Sequence, residues 1–320
     1  MTPKRRRRTH EDHRRKEDGA ASGDRWEGME GRIIRPPARG GIRLATWNIL
    51  NRADDYRERI GGIASALADA HVDVAALQEV RLDCRDELMA AMTASGYSLA
   101  MLAGSEKQPV RGTNMEPVSE DTVAIAWRDN GPASPYEGVP ANRHGLYQAM
   151  SVDFAVTGGG RLTMGSYHGM WGCSRQAARL REVSDLAAGL PEESDSHAVV
   201  IGGDFNAEPH ERAIRCMLGE EPGIDGDDWT FWLDAQNVMT ALGRWKPKHT
   251  TICHGKGADT NRLQGIDPML MPERTIDHIM TRGYRYGRPG GFTAVSVADT
   301  GSVLSDHRLM TADITAPLSE

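Results

Sequence analysis

The chain has 320 residues, 39% of them hydrophobic, and a formal net charge of −7. This length and apolar content are sufficient for a substantial buried core, in one large domain or two ordinary ones. The sequence contains no run of about 18 apolar residues, so we expect no membrane-spanning helix and no membrane partner.

Charge is distributed unevenly along the chain. Residues 1–40 carry 12 Lys/Arg and 7 Asp/Glu without a hydrophobic period, whereas the remainder is acidic. This composition predicts a disordered basic N-terminal tail over residues 1–40 and one folded domain over residues 41–320. The tail is either a solvated leader or an arm that binds nucleic acid through its phosphates, and we favour the leader.

The cysteine pattern bears on compartment and on metal binding. Four cysteines, at positions 84, 173, 216 and 253, are scattered and form no Cys-x-x-Cys pair. We therefore predict no structural zinc site and no disulfide. No apolar segment follows the basic N-terminus, so we expect a cytoplasmic protein. Cys173 lies close to His168 and is a conceivable nucleophile, but an ordinary thiol is our preferred interpretation.

Strand and helix signals alternate from Gly41 onward. Short apolar runs predict strands over residues 42–49, 72–77, 97–102, 122–127, 146–156, 161–168, 198–202, 275–281, 292–298 and 308–315. Helical spacing predicts helices over residues 56–70, 82–94, 174–190 and 209–218, with Ser174 as an N-cap and Pro209 as a helix start. Residues 103–121, 130–144, 170–174 and 253–273 are predicted loops. This mixture of hairpins and crossovers predicts an α/β fold with two packed mixed sheets and helices outside.

Six short polar segments lie at or within the predicted strands. They contain Asn48, Glu79, His168, Asp204 with Asn206, Asp277, and Asp306 with His307. Polar groups at strand ends on one edge of a sheet converge, so these side chains are predicted to form one pocket.

Each segment taken alone also has an ordinary structural interpretation. Glu79 could be a surface residue at a strand end, and His168 could be a core histidine. Two glycines precede Asp204 and Asn206, and such a sequence is equally typical of a turn.

Asp277 is less easily explained as structural, because a carboxylate within an apolar run needs a partner. His307 would be a natural partner, and the carboxylate would orient the ring and raise its pKa. His278 points to the opposite side of the strand by alternation, so we interpret it as structural.

The carboxylates and amides of these segments suit a hard cation. Glu79 and Asp306 are oxygen ligands of the kind that Mg²⁺ or Mn²⁺ prefers, and Asn48 could add its amide oxygen. Zinc would instead favour a ring of histidines and cysteines, which the segments do not provide.

Together the six segments resemble those of the endonuclease/exonuclease/phosphatase superfamily, also called the DNase I-like fold. The family's T/S-W-N, L-Q-E, S/T-x-H, G-D-F-N and S-D-H motifs match residues 46–48, 77–79, 166–168, 203–206 and 305–307, in order. Residues 275–279 look like its R-I-D-x-I motif, although Thr275 stands where the family often carries arginine. The resemblance extends over roughly residues 42–315 and implies a four-layer α/β/β/α sandwich, with residues 41–320 as the catalytic domain.

The resemblance also implies roles for the site residues. Glu79, Asn48 and Asp306 would hold the metal, and Asp204 would orient or deprotonate the attacking water. Asn206 would hold Asp204 or the phosphate. His168, and His307 paired with Asp277, would contact the phosphate; some family members are argued to use the counterpart of His307 as the base, so the base stays open.

We therefore predict a divalent-metal-dependent phosphoesterase that acts by direct attack of water. A nuclease or nucleotide phosphodiesterase is the first choice, with nucleic acid or a nucleotide as partner. The alternatives are a small-molecule phosphatase, for a sugar, inositol or nucleotide phosphate, and a catalytically silent binding protein that retains the fold. A monomer is expected.

Several aromatic residues could stack on bases, but half or more of them are expected to lie in the core. They are Trp171, Trp229, Phe231, Trp232 and Trp245. The acidic body and the thin basic cluster of Lys246, Lys248, His249 and Arg262 argue modestly against a long nucleic-acid groove.

Overall fold

The computed structural model describes residues 40–51, 56–102, 121–137, 141–144, 148–194, 196–224, 229–246, 274–282, 291–298 and 304–317, together with Pro37, Gly226 and Thr251. The predicted loop at residues 253–273 lies outside the described residues. So do nearly all of residues 1–40 and 103–121, and three members of the thin basic cluster.

Thirteen strands in the described part form two mixed sheets. The first has the order β12-β13-β1-β2-β4-β3 and consists of β1 (Gly41–Asn48), β2 (Val74–Arg81), β3 (Tyr97–Met101), β4 (Asp121–Arg128), β12 (Phe292–Ala298) and β13 (Leu309–Thr315). The second has the order β10-β11-β9-β8-β7-β5, with β6 also paired to β7. It consists of β5 (Ala133–Pro135), β6 (Asn142–Arg143), β7 (Gln148–Val156), β8 (Arg161–His168), β9 (His197–Asp204), β10 (Trp232–Asp234) and β11 (Asp277–Arg282).

Five helices among the described residues pack against the two sheets. They are α1 (Tyr56–Asp69), α2 (Arg85–Ala94), α3 (Gln176–Gly189), α4 (Arg212–Met217) and α5 (Ala235–Ala241). Helices α1 and α2 pack on the first sheet, α3 and α4 pack on the second, and α5 contacts the core between the sheets. The predicted four-layer α/β/β/α sandwich is therefore confirmed. No helix in the described residues is both long and apolar enough to cross a membrane.

Strand alternation builds the core between the sheets. On β1 the side chains of Ile42 and Leu44 face the second sheet, while Ala45 and Trp47 pack against the helices. The same alternation on β9 sends Val200 inward. Central strands such as β1 and β9 therefore have one face for the inner core and one for a helical layer, which explains why they read as nearly continuous apolar runs.

Two predicted helix starts are wrong. Ser174 lies inside a 3₁₀ turn (Cys173–Arg175), and α3 begins at Gln176 without a side-chain cap. Pro209 precedes α4 by three residues, since α4 starts at Arg212. Arg179 explains both differences. It binds the backbone before α3 and also the Glu211 carboxylate, so local contacts at these positions replace the first helical turn.

The sequence also missed four short elements. Residues 130–144 were predicted as a loop but contain β5 and β6, which pair with β7. Strand β10 and helix α5 were not predicted either. These elements have two to seven residues, too few to show a hydrophobic period.

Candidate active site

The inner faces of several strands end in polar residues at one edge of the molecule. Asn48, His168 and Asp204 are the last residues of β1, β8 and β9, and alternation places each on the inner face. Asp277 is instead the first residue of β11 and pairs in register with Asp204, because β11 runs antiparallel to β9. His307 likewise precedes β13. The site therefore collects the ends of some strands and the beginnings of others, from both sheets.

Glu79 reaches this edge through an irregularity in β2. The register with β4 shifts between Leu77 and Val80, and Glu79 has a φ of 57°. Regular alternation would send Gln78 inward and Glu79 outward, and Gln78 does bind Ser166 Oγ between the sheets at 3.2 Å. The bulge reverses the direction of the Glu79 side chain, so that Gln78 and Glu79 both lie on the inner side of the sheet.

Asp204 is the centre of the polar contacts. Its Oδ2 accepts a hydrogen bond from Asn48 Nδ2 at 3.0 Å, and its Oδ1 accepts one from the Asn206 backbone N–H at 2.8 Å. The Nε2 atoms of His168 and His307 lie 3.8 and 3.7 Å from Oδ2. A buried carboxylate thus lies between two imidazoles, with its orientation fixed by two donors.

His307 forms the expected pair with Asp277. Its Nδ1 lies 2.9 Å from Asp277 Oδ2, and both side chains are buried. Burial lowers the pKa of His307, but the charges of Asp277 and Asp204 outweigh it and hold that pKa well above its usual value. The two carboxylates therefore favour the protonated imidazole, whose Nε2 lies 3.7 Å from Asp204 Oδ2.

His168 belongs to a chain of hydrogen bonds that sequence analysis missed. Its Nδ1 contacts Gln148 Oε1 at 3.0 Å, and Gln148 Nε2 donates to Asp121 at 2.8 Å. Asp121 also accepts from the Asn51 side chain, and the Asn51 backbone N–H donates to Glu79 Oε2 at 2.9 Å. One continuous chain of contacts therefore fixes both His168 and Glu79. No motif marks these partners, because they lie at strand and loop positions far apart in sequence.

Two further unpredicted residues anchor the segments around Asp277 and His307. Thr251 Oγ1 accepts the backbone N–H groups of Ile276 and Asp277 at 2.9 and 3.0 Å. Ser305 Oγ donates to the Asn48 carbonyl at 2.6 Å and accepts the His307 N–H at 3.1 Å. Ser305 belongs to the S-D-H motif, whereas no sequence pattern marks Thr251.

Asn206 and Asn48 orient the site through their amide nitrogens. Asn206 has a φ of 50°, and its Nδ2 donates to the Gly169 carbonyl at 2.9 Å. Asn48 Nδ2 donates to Glu79 Oε1 and to Asp204, while its oxygen accepts the Leu50 N–H at 3.0 Å. We expected the amide oxygen of Asn48 to face a metal, but its amide nitrogen faces the carboxylates of Glu79 and Asp204. An N–H donor is the favourable neighbour of two carboxylates.

The carboxylates fit a hard cation. Asp306 Oδ1 is buried and has no hydrogen-bond partner among the described residues, so it lacks the compensation that a buried charge requires. Glu79 keeps a partly exposed side chain with a free lone pair on each oxygen. Glu79 and Asp306, the metal ligands predicted from the sequence, therefore each keep an oxygen with remaining capacity for a cation.

A second group of possible ligands consists of Asp204, Asp277 and His307, whose ligand atoms lie within 4.8 Å of one another. Within this group His307 Nδ1 already contacts Asp277 Oδ2 at 2.9 Å. His278 binds Asp234 and the Ala207 carbonyl in the core behind β11, which agrees with its structural interpretation.

Comparison with known proteins identifies the family. The sequence profile described as Endonuclease/Exonuclease/phosphatase family matches residues 45–307. A search of the curated proteins found no match.

Three solved structures share the fold. An endonuclease/exonuclease/phosphatase from Bacteroides vulgatus has a TM-score of 0.61 at 16% identity, over 86% of this chain and 98% of that one. The human Nocturnin catalytic domain with bound sulfate has a TM-score of 0.59 at 18% identity, over 86% and 93%. D. rerio TDP2 in complex with a single-strand DNA product has a TM-score of 0.59 at 14% identity, over 85% and 98%. Since the profile covers most of the chain, this protein belongs to the endonuclease/exonuclease/phosphatase family, whose members hydrolyse phosphoester bonds.

Proposed function

We propose that the protein is a Mg²⁺- or Mn²⁺-dependent phosphodiesterase that acts on nucleic acid or nucleotides by direct attack of water. The observation that supports this most strongly is the environment of Asp204. Within the described residues, the side chains that contact Asp204 are an amide and two imidazoles, without a serine or cysteine nucleophile. A carboxylate held in this way can orient a water molecule and accept its proton.

Asp204 and His307 are the two candidate bases. Burial lowers the pKa of His307, but Asp277, 2.9 Å from its Nδ1, and Asp204 raise that pKa above its usual value, which disfavours His307 as a proton acceptor. A protonated His307 would donate a hydrogen bond to a phosphate oxygen, where it stabilises developing negative charge. In this proposal Asp204 is therefore the base.

The proposed reaction is a hydrolysis. The water oxygen bonds to phosphorus, the ester P–O bond breaks, the water proton passes to Asp204, and the leaving oxygen takes a proton from the solvent. His168 and His307, whose Nε2 atoms lie 3.8 and 3.7 Å from Asp204 Oδ2, would contact the phosphate. A divalent cation held by Glu79 and Asp306 would neutralise charge on the phosphate and the leaving oxygen.

Relatives in the fold comparison favour a diester substrate. The TDP2 structure contains a single-strand DNA product, which shows that this fold accommodates a nucleic-acid strand. The acidic net charge of −7 points the other way, towards a short or small substrate. A nucleotide or short oligonucleotide diester satisfies both observations.

Turnover of bis(p-nitrophenyl) phosphate and of p-nitrophenyl phosphate, each with Mg²⁺, Mn²⁺ or EDTA, tests this proposal. We expect metal-dependent hydrolysis with preference for the diester, and no turnover by a matched Asp204→Asn variant. Preference for the monoester would overturn the diester assignment in favour of a small-molecule phosphatase. A protein that turns over neither compound and binds no metal would be a silent member of the family. A screen of DNA, RNA, nucleotides and inositol phosphates then identifies the substrate.

A further inference from the structure

Trp171 is the most exposed of the large hydrophobic side chains in the described residues. Its exposed fraction is 67%, against 52% for Trp229 and 42% for Phe231. The expectation that half or more of the five candidate aromatics lie in the core is thus wrong, since only Trp232 is buried and Trp245 partly so. Trp171 lies in the turn of residues 169–172, directly after His168.

The backbone of this turn is fixed on both sides of Trp171. Arg179 Nη1 donates to the carbonyl of Met170 at 3.1 Å and to that of Gly172 at 2.8 Å. Glu182 Oε2 accepts the Met170 N–H at 3.1 Å. Arg179 and Glu182 are themselves buried. Two buried ionisable side chains of α3 therefore hydrogen-bond the backbone of the residues that flank Trp171.

The same turn is joined to the candidate active site. The Gly169 N–H donates to the Asp204 carbonyl at 2.7 Å, and the Gly169 carbonyl accepts from Asn206 Nδ2 at 2.9 Å. A Cβ at Gly169 would lie 2.4 Å from the Phe205 carbonyl oxygen, so only glycine permits this close approach. The position of Trp171 is therefore set by the strand end that carries Asp204.

Arg179 and Glu182, which hold this turn, are themselves hydrogen-bonded to neighbouring side chains. Arg179 Nη2 binds Glu211 at 2.6 Å, and the Tyr167 hydroxyl donates to Glu182 at 2.6 Å. Both contacts are buried charge-assisted hydrogen bonds, the strong kind. A turn held in this way has little freedom left to lose when a ligand binds.

An exposed indole on a fixed backbone is available to bind a partner. Exposure of the ring forgoes the burial energy that a tryptophan normally contributes, whereas the fixed turn lowers the entropic cost of binding. Trp171 is three positions after His168 in the chain, and three extended residues span at most about 11 Å. A short nucleotide chain can bridge that distance.

We infer that Trp171 is a stacking platform for a nucleobase of the substrate, next to the phosphate that Asp204 and the two histidines contact. This inference rests on the proposed function and adds the part of the substrate that determines selectivity. Stacking on an aromatic ring is tolerant of base identity, so the platform should select for the presence of a base over its sequence.

Two oligomers of equal length separate base recognition from phosphodiester hydrolysis. One is a short single-stranded oligothymidylate, and the other carries abasic tetrahydrofuran units on the same phosphodiester backbone. We compare kcat/KM of the wild type with that of Trp171→Ala, Trp171→Phe and the matched control Trp229→Ala, with Mg²⁺ or Mn²⁺. Thermal unfolding of each variant verifies the fold.

The wild type should prefer the oligothymidylate, and Trp171→Ala should lower that preference about tenfold or more, in line with alanine substitution of stacking residues. Trp171→Phe should restore most of it, and Trp229→Ala should keep the wild-type preference. An unchanged preference in Trp171→Ala, or an equal loss on both oligomers, would overturn the inference while leaving the phosphodiesterase intact. A wild type that cleaves neither oligomer, nor bis(p-nitrophenyl) phosphate, would overturn both.

Discussion

At the scale of single residues, hydrogen bonds fix the orientation of the side chains in the candidate site. Asp204 meets Asn48 and Asn206 with one oxygen each, so neither oxygen can rotate away from the two imidazoles. His307 is oriented by Asp277 in the same manner. A pre-oriented group needs no rearrangement during reaction, which is the main source of electrostatic catalysis.

Replacement of Asp204 or His307 tests their roles directly. Asp204→Ala and His307→Ala should each lower kcat on bis(p-nitrophenyl) phosphate by at least about a hundredfold, because each removes a group that acts in the transition state. Circular dichroism and thermal unfolding should show an intact fold. Near-normal turnover by either variant would remove that residue from the site.

Glu79 is expected to act through the metal. Glu79→Ala should raise the Mg²⁺ concentration needed for half-maximal turnover by about tenfold or more, since metal affinity falls by such factors when a ligand or its support is lost. Isothermal titration with Mg²⁺ measures the same change without turnover. Glu87→Ala, on the exposed face of α2, is the matched control and should titrate like the wild type. An identical titration of both variants would contradict the ligand role.

At the scale of elements, the candidate site residues lie at strand ends because side chains alternate between the two faces up to the last residue of each strand. Leu44, Thr46 and Asn48 lie on one face of β1, and the change from apolar to polar along that face occurs where the core ends. The bulge at Glu79 brings a carboxylate to the inner side of β2, where strict alternation would not place that residue. A bulge costs ladder hydrogen bonds, so its position next to the site indicates a functional purpose.

The buried pair of His278 and Asp234 links β11 to α5 and makes stability depend on pH. Asp234 caps α5 by accepting the Asn237 N–H at 2.9 Å, and it also contacts His278 Nδ1 at 3.1 Å. Burial lowers the pKa of His278, but the hydrogen bond and charge of Asp234 outweigh it and raise that pKa above its usual value. The stabilisation is therefore complete below the unfolded pKa of about 6.5 and is lost as pH rises through the folded pKa.

Asp234→Asn isolates this electrostatic contribution, because asparagine caps a helix as well as aspartate does. In urea denaturation with EDTA present, the variant should be less stable than the wild type by about 2 kcal/mol at pH 6. The difference should shrink as the pH rises towards 9. A difference that is constant over this range would show that His278 carries no proton in the folded protein.

At the scale of the whole molecule, the site exists because two sheets pack closely at one edge. A Cβ at Gly202 would lie 3.1 Å from Ala76 Cβ and 3.2 Å from Thr46 Cβ, both on the opposite sheet. Glycine and alanine at this contact let the strands approach. The polar ends two residues further along, Asn48 and Asp204, can then come within 3.0 Å.

Gly202→Val should therefore push the sheets apart. We expect a loss of about 1–3 kcal/mol in the free energy of unfolding from overpacking, together with reduced turnover. Urea denaturation and the bis(p-nitrophenyl) phosphate assay measure the two effects. Gly61→Ala, on the exposed side of α1 with no atom within 4 Å of the added Cβ, should instead stabilise by up to about 1 kcal/mol. Wild-type stability and turnover in Gly202→Val would mean that the sheets tolerate a wider separation.

The sequence by itself determined the layers, the family and the identity of the polar residues at the strand ends. Those features depend on local pattern, such as apolar period and short motifs, which the chain carries in any conformation. The pairing of Asp277 with His307 was also predictable, because a carboxylate in an apolar run has few possible partners.

Only the tertiary structure decided how the site is held together. Gln148, Asp121, Asn51 and Thr251 act through contacts between segments far apart in the chain, and the sheet register brings them into place. The orientation of Asn48, the bulge at Glu79 and the fixed turn under Trp171 have the same origin. Each depends on distances of a few ångströms between chain segments, which a one-dimensional pattern does not specify.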